Sequence, residues 1–179
     1  VLDHLPCGKV IEKGLNFNSM IRMATSADAA TLAELYNYYI THSVVTFEET
    51  PITDQQMEER VQNVLAHWPW LVFQEKNEIL GYAYATAWKP RSAYRFTVEV
   101  TVYVRHGSER KGIGKALYSE LISQLKIAGV HAVIGGITLP NPPSVALHES
   151  LGFVKVAHFK ETGFKFGEWR DVGYWELIL

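Results

Sequence analysis

The chain has 179 residues, 47% of them hydrophobic and 20% charged, a balance that fits one globular domain with no need of disulfide or metal staples. A formal net charge of −2 argues against a nucleic-acid partner, and the single cysteine, Cys7, excludes an internal disulfide and favours a reducing, cytoplasmic setting. No apolar run reaches the ~20 residues of a membrane helix, and the first 19 residues carry Lys9, Glu12 and Lys13 where a signal peptide would be apolar.

Met20-Ile-Arg-Met reads as a natural start. Residues 1–19 are therefore expected to form an N-terminal extension, with an ordered arm as the alternative, and 20–179 a single domain. A first helix is expected from Ser26 to Thr41, with Leu32, Leu35, Tyr36, Tyr39 and Ile40 as its stripe and Asp28 in its first turn. A second begins at the capping box Thr53-Asp-Gln-Gln56 and carries Met57, Val61, Val64 and Leu65 on one face. Strands follow at Trp70–Glu75, Ile79–Ala87 and Arg95–Val104. The third helix, Gly112–Ala128, buries Ile113, Leu117, Leu121, Leu125 and Ala128.

Gly129 ends that helix and His131–Ile137 forms the next strand, so Thr97 to Ile137 reads as a βαβ crossover with a parallel pair. Asn141-Pro-Pro-Ser144 starts a short helix that ends at Gly152, and Phe153–Thr162 and Glu168–Ile178 read as two closing strands. The order αα-βββ-α-β-α-ββ implies a mixed α/β fold. The junction Glu109-Arg-Lys-Gly-Ile-Gly-Lys-Ala116 offers bare backbone N–H groups at the positive end of a helix, a setting for phosphate or pyrophosphate. It is not a dinucleotide fingerprint, because Leu117 stands where a third glycine would be. Nor is it a P-loop, because Ile113-Gly114 follow Gly112. His148-Glu149 lacks a second histidine at 152, and none of the seven histidines has metal-site spacing, so no metal is expected.

Strand, Gly-x-Gly loop, helix, strand and Asn-led helix together resemble the GNAT superfamily of acyl-CoA-dependent N-acetyltransferases. Glu109-Arg-Lys-Gly112-Ile-Gly114 matches its loop, and Asn141, His148 and Gly152-Phe153 match its later element. Three runs resemble the phosphinothricin and methionine sulfoximine acetyltransferases within it: Trp88 to Val104, Pro140 to Phe153, and Gly163 to Trp175. The resemblance covers Met20 to Leu179. It implies a twisted mixed sheet of six or seven strands with about four helices and a parallel pair at the acyl-CoA site. It also implies acetyl-CoA as co-substrate, a small amino-acid acceptor and a homodimer.

Residue by residue, the resemblance gives Val102, Tyr103, Val104, Glu109, Arg110, Lys111, Gly112, Ile113, Gly114, Lys115, Asn141 and Ser144 to the cofactor. For Val102–Val104 the alternative is plain core, and for Asn141 a helix cap. Glu109 departs from the family's Gln or Arg and brings a carboxylate near the expected pyrophosphate. Glu99 interrupts the β-branched run Thr97-Val-Glu-Val-Thr-Val and is the candidate base, its alternative being a solvent-facing strand carboxylate. His148 either protonates the departing sulfur, orients the thioester, or simply packs. Lys89, Arg91 and Tyr94 suit an acceptor bearing a carboxylate and a second polar tetrahedral group, and Lys165 and Trp169 complete either that pocket or a neighbouring subunit's contact. Competing readings are an acetyltransferase for another amine and an inactive CoA-binding sensor.

Overall fold

The computed structural model describes residues 19–179, so of the expected N-terminal extension only Ser19 falls within it. In chain order the elements are β1 (Ser19–Met23), α1 (Ala29–His42), α2 (Asp54–Leu65), β2 (Trp70–Glu75), β3 (Glu78–Ala87), β4 (Thr97–Val104), α3 (Ile113–Ile127), β5 (Ala132–Leu139), α4 (Pro142–Ser150), β6 (Val154–Lys165) and β7 (Glu168–Ile178). All seven strands share one sheet in the order β1-β2-β3-β4-β5-β7-β6. Every neighbouring pair is antiparallel except β4 and β5, the pair that α3 crosses over to connect.

The sheet is covered on both faces. Leu71 and Phe73 of β2 and Val98 and Val100 of β4 pack with Ile113, Leu117, Leu121 and Leu125 of α3. Trp70, Val72 and Tyr82 point the other way, toward Leu32, Tyr36 and Ile40 of α1 and Met57 and Val61 of α2. Two-sided burial is why Trp70-Leu-Val-Phe73 is continuously apolar instead of alternating. The Thr53 capping box forms as expected: Thr53 Oγ1 accepts from the Gln56 N–H and Gln56 Oε1 from the Thr53 N–H.

Three expectations differ from the structure. The chain opens with a strand, β1, paired antiparallel with β2 from Ser19↔Glu75 to Met23↔Leu71; five residues beside a presumed start are too few for alternation to register. The first helix begins three residues late, because Ser26–Asp28 wind as a 3-10 turn. Asp28 there accepts both Nη1 and Nη2 of Arg22, each at 2.8 Å, together with the Thr25 N–H. Ala128 is exposed, not buried, since α3 stops at Ile127 and Gly129 turns away with φ +80°. Ala116 and Tyr118 are buried instead, which widens the core face of α3.

Candidate functional site

The parallel ladder between β4 and β5 is short. It pairs Thr97 with Ala132, Val98 with Val133 and Glu99 with Ile134, then ends. Beyond it β4 stays with β3 as far as Val104↔Gly81, while β5 follows β7 as far as Leu139↔Asp171. The two strands splay, and a cleft of about 1150 Å³ opens between them. Val100–Val104 therefore border it with a strand edge that β5 does not pair; the Val104 carbonyl there accepts from the Tyr39 hydroxyl, and the edge's other backbone groups have no β5 partner.

Glu99 sits at the vertex. Strand alternation puts it on the α1/α2 face, opposite Thr86 of β3, while Val98 and Val100 face α3. Burial raises its pKa above the ordinary carboxylate value and the charge of Lys89 partly offsets this. Room for the carboxylate comes from Gly136 of β5, where a Cβ would lie 3.0 Å from Glu99 Oε1.

On the other face Gly135 does the same for His148. A Cβ there would come within 2.4 Å of His148 Nε2, so the imidazole of α4 wedges directly onto β5. His148 is 3% exposed and stands edge-on to Tyr118 and Phe153. Its Nδ1 lies 2.8 Å from the carbonyl oxygen of Ser144, an acceptor only, so Nδ1 carries the proton. Nε2 is buried with no hydrogen-bond partner among the described residues. Burial lowers the ring's pKa, against a smaller opposing effect of the Ser144 carbonyl, which leaves it neutral with Nε2 as an acceptor.

The cleft's far end is the loop after β4 and the start of α3. Arg110 (φ +63°) and Gly112 (φ +80°) turn the chain, and Gly112 caps α3 without a side chain. The N–H groups of Ile113, Gly114 and Lys115 thus begin the helix with no carbonyl one turn back. Glu109, Arg110, Gly112, Ile113, Gly114 and Lys115 line the cleft here; Lys111 stands beside it, exposed. The Glu109 carboxylate folds onto its own loop, accepting the Gly107 N–H at 2.8 Å and lying 3.3 Å from His106 Nδ1. Slight desolvation raises its pKa, but the N–H groups of Glu109 and Gly107 and the His106 ring outweigh this and hold it below the ordinary value. Asn141 and Ser144 line the α4 side, with Asn141 Oδ1 capping the helix by accepting the Ser144 N–H.

The expected acceptor residues are not gathered in the cleft wall. Lys89, Arg91 and Tyr94 are exposed on the β3–β4 connection, with Lys89 Nζ 5.0 Å from the Trp88 ring. Trp169 is 60% exposed and packs on Phe164. Lys165, 1% exposed, donates from Nζ to the Thr46 carbonyl at 2.8 Å, so it anchors a loop instead of presenting its charge. The wall facing Glu99 comes from residues that sequence reasoning did not single out: Phe47 from the α1–α2 loop, Phe159 and Thr162 from β6, Val172 and Tyr174 from β7. One signal was available, the pair Gly135-Gly136 inside a strand, which marks a close approach. Among the described residues no group of three or more His, Cys, Asp or Glu is placed to hold a metal, and no helix is long and apolar enough to cross a membrane.

A family profile described as the acetyltransferase (GNAT) domain matches residues 21–173. The chain is 42% identical over 156 residues to the phosphinothricin N-acetyltransferase of Streptomyces viridochromogenes, covering 87% of this chain and 85% of that protein. It is 35% identical over 160 residues to the L-methionine sulfoximine/L-methionine sulfone acetyltransferase of Salmonella typhimurium, covering 89% and 94%. Its fold matches the crystal structure of a GNAT superfamily phosphinothricin acetyltransferase from Sinorhizobium meliloti in complex with acetyl-CoA, with TM-score 0.88 and 36% identity over 91% of this chain and 89% of that one.

Proposed function

The chain belongs to the GNAT family of N-acetyltransferases, and from that premise we propose that it moves an acetyl group from acetyl-CoA to the α-amine of a small amino-acid analogue of the phosphinothricin, methionine sulfoximine or methionine sulfone kind. The observation that carries the reading is the half-buried carboxylate of Glu99 at the vertex of a cleft whose other end is the uncapped start of α3.

The residues present fit acetyl-CoA. The first N–H groups of α3, with Arg110, Lys111 and Lys115 nearby, suit a pyrophosphate. The free edge of Val102-Tyr103-Val104 suits an extended chain of amides that adds to the strand. Asn141 and Ser144 flank the same arm from α4. The opposite wall of Phe47, Phe159, Val172 and Tyr174 is apolar enough for an aliphatic side chain, with Thr162 and Glu99 as polar points. Lys89 and Arg91, exposed on the β3–β4 connection just before β4, attract a carboxylate-bearing acceptor and repel polycations.

In the ternary complex Glu99, its basicity raised by burial, takes a proton from the ammonium directly or through one water. The freed amine attacks the thioester carbonyl carbon, and the unpaired backbone N–H groups of β4 stabilise the tetrahedral oxyanion. The C–S bond then breaks, the carbonyl re-forms, and the second proton of the attacking nitrogen passes to the departing thiolate. With a thiol pKa near ~8.5 the sulfur leaves readily without a dedicated acid. His148 enters as a neutral wedge that fixes α4 on β5, since its one ring N–H is held by Ser144.

The same reading includes a single domain over 20–179, a cytoplasmic setting where acetyl-CoA is made, and a homodimer. The dimer is supported by β6, an edge strand that exposes Val154, Val156 and Phe159, with Phe164, Phe166 and Trp169 exposed nearby. Sedimentation giving only a species of one 20.3 kDa chain at micromolar concentration would remove it.

The experiment is thiol release from acetyl-CoA with phosphinothricin, methionine sulfoximine, methionine sulfone, the common amino acids and spermidine, for wild type and Glu99→Gln. Turnover concentrated on the first three, and a loss of roughly 10²–10⁴ in kcat with the acetyl-CoA KM unchanged in the variant, is expected. Turnover on spermidine alone, or a variant with normal kcat, would overturn the acceptor reading or the role of Glu99 respectively. Acetyl-CoA binding with silence throughout would indicate a sensor.

A further inference from the structure

We propose that Asp171 is a positioning residue that sets the shape of the acceptor wall by pinning a bulge in β6, an inference that rests on the acceptor reading above. The register between β6 and β7 jumps from Phe159↔Val172 to Gly163↔Arg170, so Lys160, Glu161 and Thr162 together stand opposite Asp171 alone. An excess of this size breaks the ladder and leaves unpaired backbone that needs another partner. Asp171 supplies it. Its Oδ1 accepts the Glu161 N–H at 2.9 Å, and its Oδ2 lies 2.6 Å from His158 Nε2 on the strand just before the bulge.

One carboxylate therefore ties the middle of the excursion, and the strand just before it, to β7. Glu161 is held at φ +52°, a left-handed conformation that a glutamate adopts only at a cost and keeps when its surroundings enforce it. Asp171 is itself fixed from the other side, where its backbone pairs with Leu139 of β5.

The bulge matters because of what its ends carry. Phe159 before it and Thr162 within it line the cleft, together with Val172 and Tyr174 of β7. Phe159 packs edge-on against Tyr174, with ring centroids 5.8 Å apart. Gly163, just after the bulge, receives Phe47: a Cβ at 163 would lie 2.0 Å from Phe47 Cζ. Had β6 run straight past Asp171, Thr162 would have been carried out of register and Phe47 would have lost its seat. Asp171 does not line the cleft, so it acts through Thr162, Phe159 and Phe47, and on the acceptor half of the site. The uncapped start of α3 lies at the other end.

The test compares Asp171→Ala, Asp171→Asn and wild type by steady-state kinetics in both substrates and by amide hydrogen exchange without substrate. Asparagine keeps an oxygen for the Glu161 N–H, whereas alanine keeps none. Asp171→Ala is expected to raise the KM for the amine about tenfold, a loss of ~1.4 kcal/mol, with the acetyl-CoA KM within about twofold. Asp171→Asn should recover most of the loss. Exchange at residues 160–163 should quicken at least about tenfold in Asp171→Ala, while α3 and β4 keep their protection. Equal rises in both KM values, equal damage from alanine and asparagine, or unchanged exchange at 160–163 would each overturn the proposal. Failure of the acceptor reading would look different, since the wild-type enzyme would then turn over none of phosphinothricin, methionine sulfoximine and methionine sulfone.

Discussion

Glu99 Oε1 and the Cα of Gly136 are set so close at the vertex of the β4–β5 cleft that a single methyl group at 136 would lie 3.0 Å from the carboxylate oxygen and 3.2 Å from Tyr174 Cε1. Gly136 is not in a left-handed conformation, so its backbone would accept alanine and the crowding alone decides the outcome. Gly136→Ala is expected to push the carboxylate or Tyr174 aside. That should lower kcat at least tenfold, cost about 1–3 kcal/mol of stability through overpacking, and leave the acetyl-CoA KM nearly unchanged. Steady-state kinetics with a urea unfolding curve checks it. A fully active Gly136→Ala enzyme would mean that the placement of Glu99 does not limit the reaction.

The β4–α3 end of the cleft was legible in the sequence because it is local. Gly112 and Gly114, the stripe Ile113-Leu117-Leu121-Leu125 and the run Thr97–Val104 are contiguous, and each carries its own period. Glu99 stood out as a carboxylate inside a β-branched strand. The opposite wall of the cleft was not legible because it is assembled from distant pieces. Phe47 lies in a loop with no periodic signal, and Thr162 reaches the cleft only through a register shift that belongs to the β6–β7 pairing. Lys165 was expected to complete the pocket or a neighbouring subunit's contact, because nothing local marks a buried lysine. The carbonyl that holds it, at Thr46, is far away in sequence.

His148 links stability to pH. Burial depresses its folded-state pKa below the ordinary 6.5, whereas the unfolded chain takes up the proton near that value. Between the two, the unfolded state binds more protons. The stabilisation is complete above about pH 6.5 and is lost as pH falls toward the folded value, with a slope of at most ~1.4 kcal/mol per pH unit. His148→Asn keeps a donor for the Ser144 carbonyl but cannot titrate. Unfolding free energies measured from pH 7.5 to 5 should fall more steeply in wild type than in the variant. Parallel curves would mean that the imidazole carries its proton in the folded protein too.

If the start of α3 holds acetyl-CoA as proposed, Glu109 is the position that opposes it. The carboxylate is exposed at the α3 end of the cleft, and its attachment to Gly107 and His106 turns it aside without removing its charge. Glu109→Gln keeps an acceptor for the Gly107 N–H and removes only that charge. A unit charge a few ångströms from a phosphate in a water-like setting is worth about 1 kcal/mol. The acetyl-CoA KM should therefore fall roughly fivefold at low salt with kcat unchanged, and the difference should shrink toward nothing at ~1 M salt, where screening acts within about 3 Å. A KM that rises instead, at every salt concentration, would show that the carboxylate serves the loop: it holds Gly107 and His106 so that the turn through Arg110 and Gly112 aims the first N–H groups of α3, and a neutral amide holds them less well.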